Sequence, residues 1–171
     1  LERVQRPDGG WSLTDEDPRS GPNTTAVAIQ ALVAAGRDPT TSAPLRRARL
    51  FLLSAQNPDG GFPPVVGGPS TALTTAWVAL AIRSFGDRSS LPPWDRAGGP
   101  LALLGSLQLP DGGVRNAAES KEASVWATSQ AALAFSGKYL PYARRIPRPV
   151  PLRAPHVVAR HPLSGGRLRG R

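Results

Sequence analysis

This chain of 171 residues has no cysteine and no methionine, and both of its histidines lie beyond residue 155. Without cysteine it has no disulfide, no thiolate nucleophile and no sulfur ligand for a metal. A Ser-His relay is excluded from the first 155 residues, because His156 and His161 sit among prolines and arginines. A pair with no supporting shell is also a poor zinc site. No run of about 18 apolar residues occurs, so no segment reads as a membrane span. There is no Gly-x-Ser-x-Gly elbow, and neither Gly67-Gly68 nor Gly98-Gly99 leads into the Lys-Ser or Lys-Thr of a phosphate loop. No Asp-Asp-x-x-Asp run is present to hold a magnesium-bound diphosphate. Methionine is missing even at position 1, and Leu1 opens almost directly on a motif that recurs later. A partial chain is therefore expected, and the absence of a signal peptide says nothing about export.

The formal net charge is +9, yet residues 1–137 carry 12 basic and 12 acidic side chains. All of the excess lies in residues 138–171, which hold no acid: Lys138, Arg144, Arg145, Arg148, Arg153, Arg160, Arg167, Arg169 and Arg171. Six prolines from Pro141 to Pro162 interrupt any regular element there, so the stretch reads as a disordered tail. Such a tail can bind phosphates or anionic lipid without sequence specificity. A linker or incidental terminus is the first reading, and no specific nucleic-acid partner is implied.

A motif is repeated three times: Gln5-Arg6-Pro7-Asp8-Gly9-Gly10-Trp11, Gln56-Asn57-Pro58-Asp59-Gly60-Gly61-Phe62 and Gln108-Leu109-Pro110-Asp111-Gly112-Gly113-Val114. A period near 50 residues means a repeated supersecondary unit. Proline fixes φ, aspartate bonds the following amides and glycine accepts positive φ, so each motif is a turn. Asp8, Asp59 and Asp111 are accordingly turn residues before they are acids.

A second echo places Thr25-Ala26 before Gly36, Thr75-Ala76 before Gly86 and Trp126-Ala127 before Gly137. Apolar residues recur at helical spacing in each, and the glycine suits the left-handed position after a helix end. Helices are expected at about 23–36, 71–85 and 123–136, with Asn23 or Thr24 and Ser70 or Thr71 as N-caps. Residues 43–56 and 96–108 form the alternating helices and run straight into the second and third turns. The expectation is an all-α fold with about five helices in two alternating layers over residues 1–137, one end of the stack being bare.

The run Arg49-Leu50-Phe51-Leu52-Leu53-Ser54-Ala55-Gln56 before Pro-Asp-Gly-Gly-Phe62 resembles the Gln-Trp motif of the prenyltransferase and squalene-oxidase repeat family. That family includes squalene-hopene cyclases and protein prenyltransferase β subunits. The third copy resembles it less, because Val114 replaces the aromatic residue. Residues 23–39 and 126–141 resemble its bacterial, often exported members. The resemblance implies an α/α toroid: outer helices surround inner helices whose N-terminal ends face an apolar cavity for an isoprenoid-like ligand. It also implies that Gln5, Asp8, Gly9, Trp11, Gln56, Asp59, Gly60, Phe62, Gln108, Asp111 and Gly112 are structural, tying the outer helices together.

In squalene-hopene cyclases the proton donor lies in an Asp-x-Asp-Asp run just before the Thr-Ala of an inner helix, where burial and neighbouring carboxylates keep an acid protonated. The corresponding runs here are residues 21–24, 71–74 and 122–125, and Glu122 is their one acid. A lone glutamate at a helix start is first a dipole-stabilising cap, so Glu122 is a weak catalytic candidate. Asp15-Glu16-Asp17 could supply oxygen ligands to calcium but reads first as a solvated loop. Trp77, Trp94 and Trp126 are candidates for a cavity wall that attracts a carbocation, with core packing as their first role. No cofactor is implied. Two readings of different class stand: part of an isoprenoid cyclase or prenyltransferase whose site lies elsewhere, or a non-catalytic exported or surface module that binds a hydrophobic ligand or a partner.

Overall fold

The computed structural model describes residues 1–14 and 16–137. The readings of Asp15, of residues 138–171 and of His156 and His161 lie outside the described residues. Among the described residues five α-helices follow a 3-10 turn at Glu2–Val4: α1 (Pro22–Ala34), α2 (Ala43–Ala55), α3 (Ala72–Ser84), α4 (Pro100–Ser106) and α5 (Val125–Phe135). Among the described residues there is no strand, only an isolated bridge between Gln108 and Val114. The fold is all-α.

The contacts between helices show two layers. α1 packs on α3 and α3 on α5, while α2 lies against α1 and α4 against α3. The apolar interior divides the same way. One cluster joins Ile29, Leu45, Leu52, Val78 and Ile82 with Trp11, Phe62 and Trp94 from the loops, and a second joins Ala72, Ala76, Leu104, Val114 and Ala127. Ala26, Ala76 and Ala127 are fully buried, so small side chains stand where the α1, α3 and α5 backbones approach. Because α3 is packed from both sides, ten of its 13 residues are buried, as expected for a helix that is apolar nearly all round. This alternation is consistent with an arc of an α/α toroid in which α1, α3 and α5 are the inner helices.

The ends of the inner helices follow local chemistry. Gly36, Gly86 and Gly137 adopt φ of 88°, 82° and 67°. After α1 the Gly36 N–H bonds the Val33 carbonyl at 2.9 Å and the Arg37 N–H bonds the Leu32 carbonyl at 3.0 Å, a Schellman closure. Thr71 caps α3 by accepting the Thr74 N–H at 3.3 Å, and Ser124 caps α5 from Ala127 at the same distance. The cap expected at Asn23 or Thr24 is instead Gly21, with no side-chain bond, because Pro22 occupies the first helical position. The helix expected over 96–108 is also corrected. Arg96–Gly98 is a 3-10 turn, Gly98 and Gly99 take φ of 85°, and α4 begins only at Pro100.

Two of the motif glycines carry more than a turn. A Cβ on Gly60, where φ is 83°, would lie 2.4 Å from the Arg96 carbonyl oxygen, and one on Gly9 would lie 2.5 Å from that of Arg47. A Cβ on Gly112 would meet no atom within 4 Å among the described residues, its chain neighbours apart. Gly60→Val therefore combines positive-φ strain with a backbone collision, and a loss of about 3 kcal/mol or more is expected. Gly112→Ala meets only the conformational cost of about 1–2 kcal/mol. Urea unfolding of the two variants checks the difference, and equal losses would show that the Arg96 contact contributes nothing.

Candidate functional site

Each motif closes in the same way. The Arg6 N–H bonds the Gly10 carbonyl, Asn57 bonds Gly61, and Leu109 bonds Gly113, at 3.0, 2.9 and 2.8 Å. The aspartate then turns back on the chain, since Oδ1 of Asp8, Asp59 and Asp111 accepts the N–H two residues on, each at 2.9 Å. In the first two copies the same oxygen also accepts a hydroxyl, from Ser20 and from Ser70, both at 2.8 Å. Ala123 occupies the matching place in the third copy, and its Cβ faces Gly113.

The glutamine that precedes each of the first two turns links successive outer segments. Gln5 Nε2 donates to the Gly9 and Pro44 carbonyls, both at 2.8 Å, and Gln56 Nε2 to those of Gly60 and Trp94 at 3.0 and 2.9 Å. Pro44 lies in the first turn of α2, and Trp94 stands just before the 3-10 turn that leads into α4. An arginine of the incoming segment returns to the same glutamine: Arg47 donates to Gln5 Oε1, and Arg96 donates to the Gln56 backbone carbonyl. Gln108 Nε2 donates to Gly112 at 3.2 Å.

The last residue of each motif meets the inner helix that follows. The backbone N–H of Trp11, Phe62 and Val114 donates to the hydroxyl oxygens of Thr25, Thr75 and Thr128 at 3.0, 2.9 and 2.8 Å. Their carbonyls accept the N–H groups of Gly21, Thr71 and Ser124, the three N-cap residues. This clamp corrects the sequence register. Trp126 is not the counterpart of Thr25 and Thr75, because Thr128 holds that place and α5 is two residues shorter than α1 and α3. Trp126 shares only its spacing to the following glycine with Thr25 and Thr75, because α5 is the shorter helix. The separations of 14, 13 and 14 residues between motif end and threonine give the right counterpart.

The correction also changes the slots where a cyclase keeps its acid. They are residues 21–24, 71–74 and 124–127, and no carboxylate stands in any of them. Glu122 lies two residues before the Ser124 cap and is exposed, outside both the slot and the first turn of α5. It is therefore not a helix cap. In α3, two first-turn amides are bound by Asn116, whose carbonyl accepts from Ala72 at 2.8 Å and whose Oδ1 accepts from Leu73 at 3.1 Å. No sequence signal singled out this residue, since it acts across 43 positions.

The tryptophans separate. Trp94 is fully buried in the first cluster and donates from Nε1 to Asp87 at 2.9 Å, with the Arg49 guanidinium 5.9 Å from its ring centre. It is core in the outer layer, not cavity wall. Trp77 is half-buried against that same cluster and its carbonyl accepts from Gln30 of α1, whereas Trp126 is 75% exposed. Val125 beside it is 82% exposed, so the first turn of α5 presents an apolar surface.

Among the described residues no three His, Cys, Asp or Glu side chains cluster as a metal site. Asp17 is held below the usual carboxylate range, chiefly by the Arg19 backbone N–H at 3.0 Å, with its side chain adding to the effect. Asp38 is lowered by the hydroxyl and N–H of Thr40. Asp38 is exposed and Asp17 half-buried, and both are turn carboxylates. A cleft of about 360 Å³ lined by Arg83, Gly86, Asp87 and Arg88 lies at the C-terminal end of α3, and it is charged where an isoprenoid pocket is apolar.

No family model matches the chain. Over a 90-residue alignment that covers 48% of this chain, it is 38% identical to the drimenyl diphosphate synthase of Streptomyces showdoensis. The chain spans 16% of that protein's length. The similarity supports kinship with terpenoid cyclases and no finer assignment.

The clamp can be weighed at Thr75, whose side chain is fully buried. Thr75→Val keeps the shape and leaves the Phe62 N–H without its acceptor, so about 1–3 kcal/mol should be lost in urea unfolding. Thr75→Ser should recover part of it. If valine were as stable as threonine, the hydroxyl would not be what holds the turn to the helix.

Proposed function

We propose that residues 1–137 form a scaffold arc of a terpenoid-cyclase-like α/α toroid, which frames a cavity for an isoprenoid-like hydrophobic ligand and carries no proton donor. The carrying observation is that the inner-helix slots 21–24, 71–74 and 124–127, all set in place by the same clamp, contain no carboxylate. Protonating a double bond needs a carboxylic acid kept neutral by burial and by like charges beside it. An exposed Glu122 with no acid in the adjoining slot has neither. The partial similarity to a drimenyl diphosphate synthase supports isoprenoid chemistry as the setting, and the acid or metal site of such an enzyme would belong to portions of a toroid outside these residues.

The motif residues Gln5, Asp8, Gly9, Trp11, Gln56, Asp59, Gly60, Phe62, Gln108, Asp111 and Gly112 are, in this reading, structural. The inner-layer residues Trp77 and Trp126 are the aromatic groups offered to a ligand or to an adjoining part of the ring. The same scaffold serves a non-catalytic module that holds a hydrophobic molecule or a partner at the cell surface, a reading favoured by the absence of acid in all three slots.

The test is direct. The 171-residue chain, incubated separately with squalene and with farnesyl diphosphate and extracted for gas chromatography with mass detection, should give no cyclised product. Glu122→Gln should leave thermal stability within about 0.5 kcal/mol of the parent, as for a surface change remote from any network. A cyclised product that disappeared in Glu122→Gln would overturn the scaffold reading and restore that residue as the acid.

A further inference from the structure

Two clefts share Asp87 as a wall. The one of about 360 Å³ at the C-terminal end of α3 is lined by Arg83, Gly86, Asp87 and Arg88, and the other, of about 250 Å³, by Pro39, Thr40, Arg46, Arg49, Phe85 and Asp87. Arginine thus outnumbers the carboxylate four to one around the pair. That carboxylate is already engaged, since its Oδ2 accepts from Arg49 Nε and from Trp94 Nε1, both at 2.9 Å, with Arg49 Nη2 2.8 Å away. Arg49 and Asp87 neutralise each other, which leaves Arg46, Arg83 and Arg88 in excess. Arg46 rests on neutral groups, donating from Nη1 to the Thr40 and Thr41 carbonyls at 3.3 and 2.7 Å. Among the described residues neither Arg83 nor Arg88 pairs with an acid.

A basic residue at a helix C-terminus can serve the helix dipole alone. The end of α1 decides against that account here. After α3 the Gly86 N–H bonds the Arg83 carbonyl at 2.9 Å and the Asp87 N–H bonds the Ile82 carbonyl at 3.2 Å, the same backbone closure that Gly36 and Arg37 make after α1. Counted from that glycine, the α1 counterparts of Arg83 and Arg88 are Val33 and Asp38. The repeat closes this end equally well with neither arginine, so the closure does not account for them.

We propose that the paired clefts bind a phosphate group, with Arg83 and Arg88 donating to its oxygens and Arg46 adding the third unpaired charge. Guanidinium forks match phosphate oxygens, and a dianion draws on several cations where a single carboxylate draws on one. The site lies at the opposite end of α3 from the slot at residues 71–74 and does not rest on the isoprenoid reading. Free phosphate and a lipid headgroup offer the same chemistry, and the experiment separates them.

Trp94 is a built-in reporter, because its indole N–H is bound to the carboxylate that both clefts share. In the full chain labelled with ¹⁵N-tryptophan and assigned with Trp94→Phe, inorganic phosphate should shift the Trp94 Nε1 signal saturably. Trp11, Trp77 and Trp126 should stay in place, and sodium acetate at equal ionic strength should move nothing. In Arg83→Gln/Arg88→Gln the half-saturating concentration should rise about tenfold or more, the unmoved signals of the other tryptophans showing that the variant is folded. Dioctanoyl phosphatidic acid below its micellar concentration is the second arm. A Trp94 shift with either probe that the double variant weakens supports the site, and the tighter probe names the source. Phosphate held only by the basic residues after Gly137 would leave Trp94 unmoved and overturn the proposal, as would an equal shift with acetate or an unchanged titration in the variant.

Discussion

One peptide unit sets the geometry of each repeat. The residue that ends the Pro-Asp-Gly-Gly turn uses its N–H on a threonine hydroxyl inside the next inner helix and its carbonyl on the N–H of that helix's N-cap. The hydroxyls of Thr25 and Thr75 are fully buried, so the bonds form where water does not compete and where an unmatched amide would be costly. With both ends of the contact fixed, the start of the helix is fixed relative to the turn however the loop between them runs. That loop carries Asp17 and Pro18 in the first repeat, Val65 and Gly67 in the second, and Glu119 and Lys121 in the third.

The layering follows from this placement. α3 packs between α1 and α5, with Ala26 buried in the first apolar cluster and Ala76 and Ala127 in the second, small residues that permit close helix approach. The outer segments are held by a separate device, the glutamine amide that donates to the next segment's carbonyl while glycine leaves room for its backbone. An added Cβ at 2.4 Å from a carbonyl oxygen cannot be accommodated by a rotamer change, because the obstructing atom is backbone. Glycine is required there by the approach of the next unit as much as by its own φ.

What could be read in the sequence was what acts over a few residues. The C′ glycines, the Asx bond within each turn and the Thr71 cap depend on neighbours, and each is visible in the order of residues. The start of α4 was misjudged because Leu101 and Leu104 continue an apolar pattern that Gly98 and Gly99 interrupt only through their backbone angles. Asn116, Trp94 and Thr128 escaped for another reason. Asn116 caps a helix in the preceding repeat, Trp94 is core only because α2 and Asp87 surround it, and Thr128 is identified by its bond to Val114. A register counted from the helix end slipped by two residues, and that slip alone moved Glu122 into an apparent acid slot.

The slip shows why this scaffold says little about reaction. The clamp uses a turn peptide, an N-cap N–H and one hydroxyl four residues into the helix, and it makes no use of the side chains between the cap and that hydroxyl. In α1 they are Pro22, Asn23 and Thr24, in α3 Ala72, Leu73 and Thr74, and in α5 Val125, Trp126 and Ala127, three sets with little in common beyond the threonines of the first two. A carboxylate placed there would sit at the positive end of a helix, where its charged form is favoured, and would need burial beside other acids to remain a proton donor. The exposed first turn of α5 offers no such burial, and none of the three sets contains an acid. Turn and chemistry are thus encoded at separate positions, and similarity carried by the turns extends to the fold before it extends to the reaction.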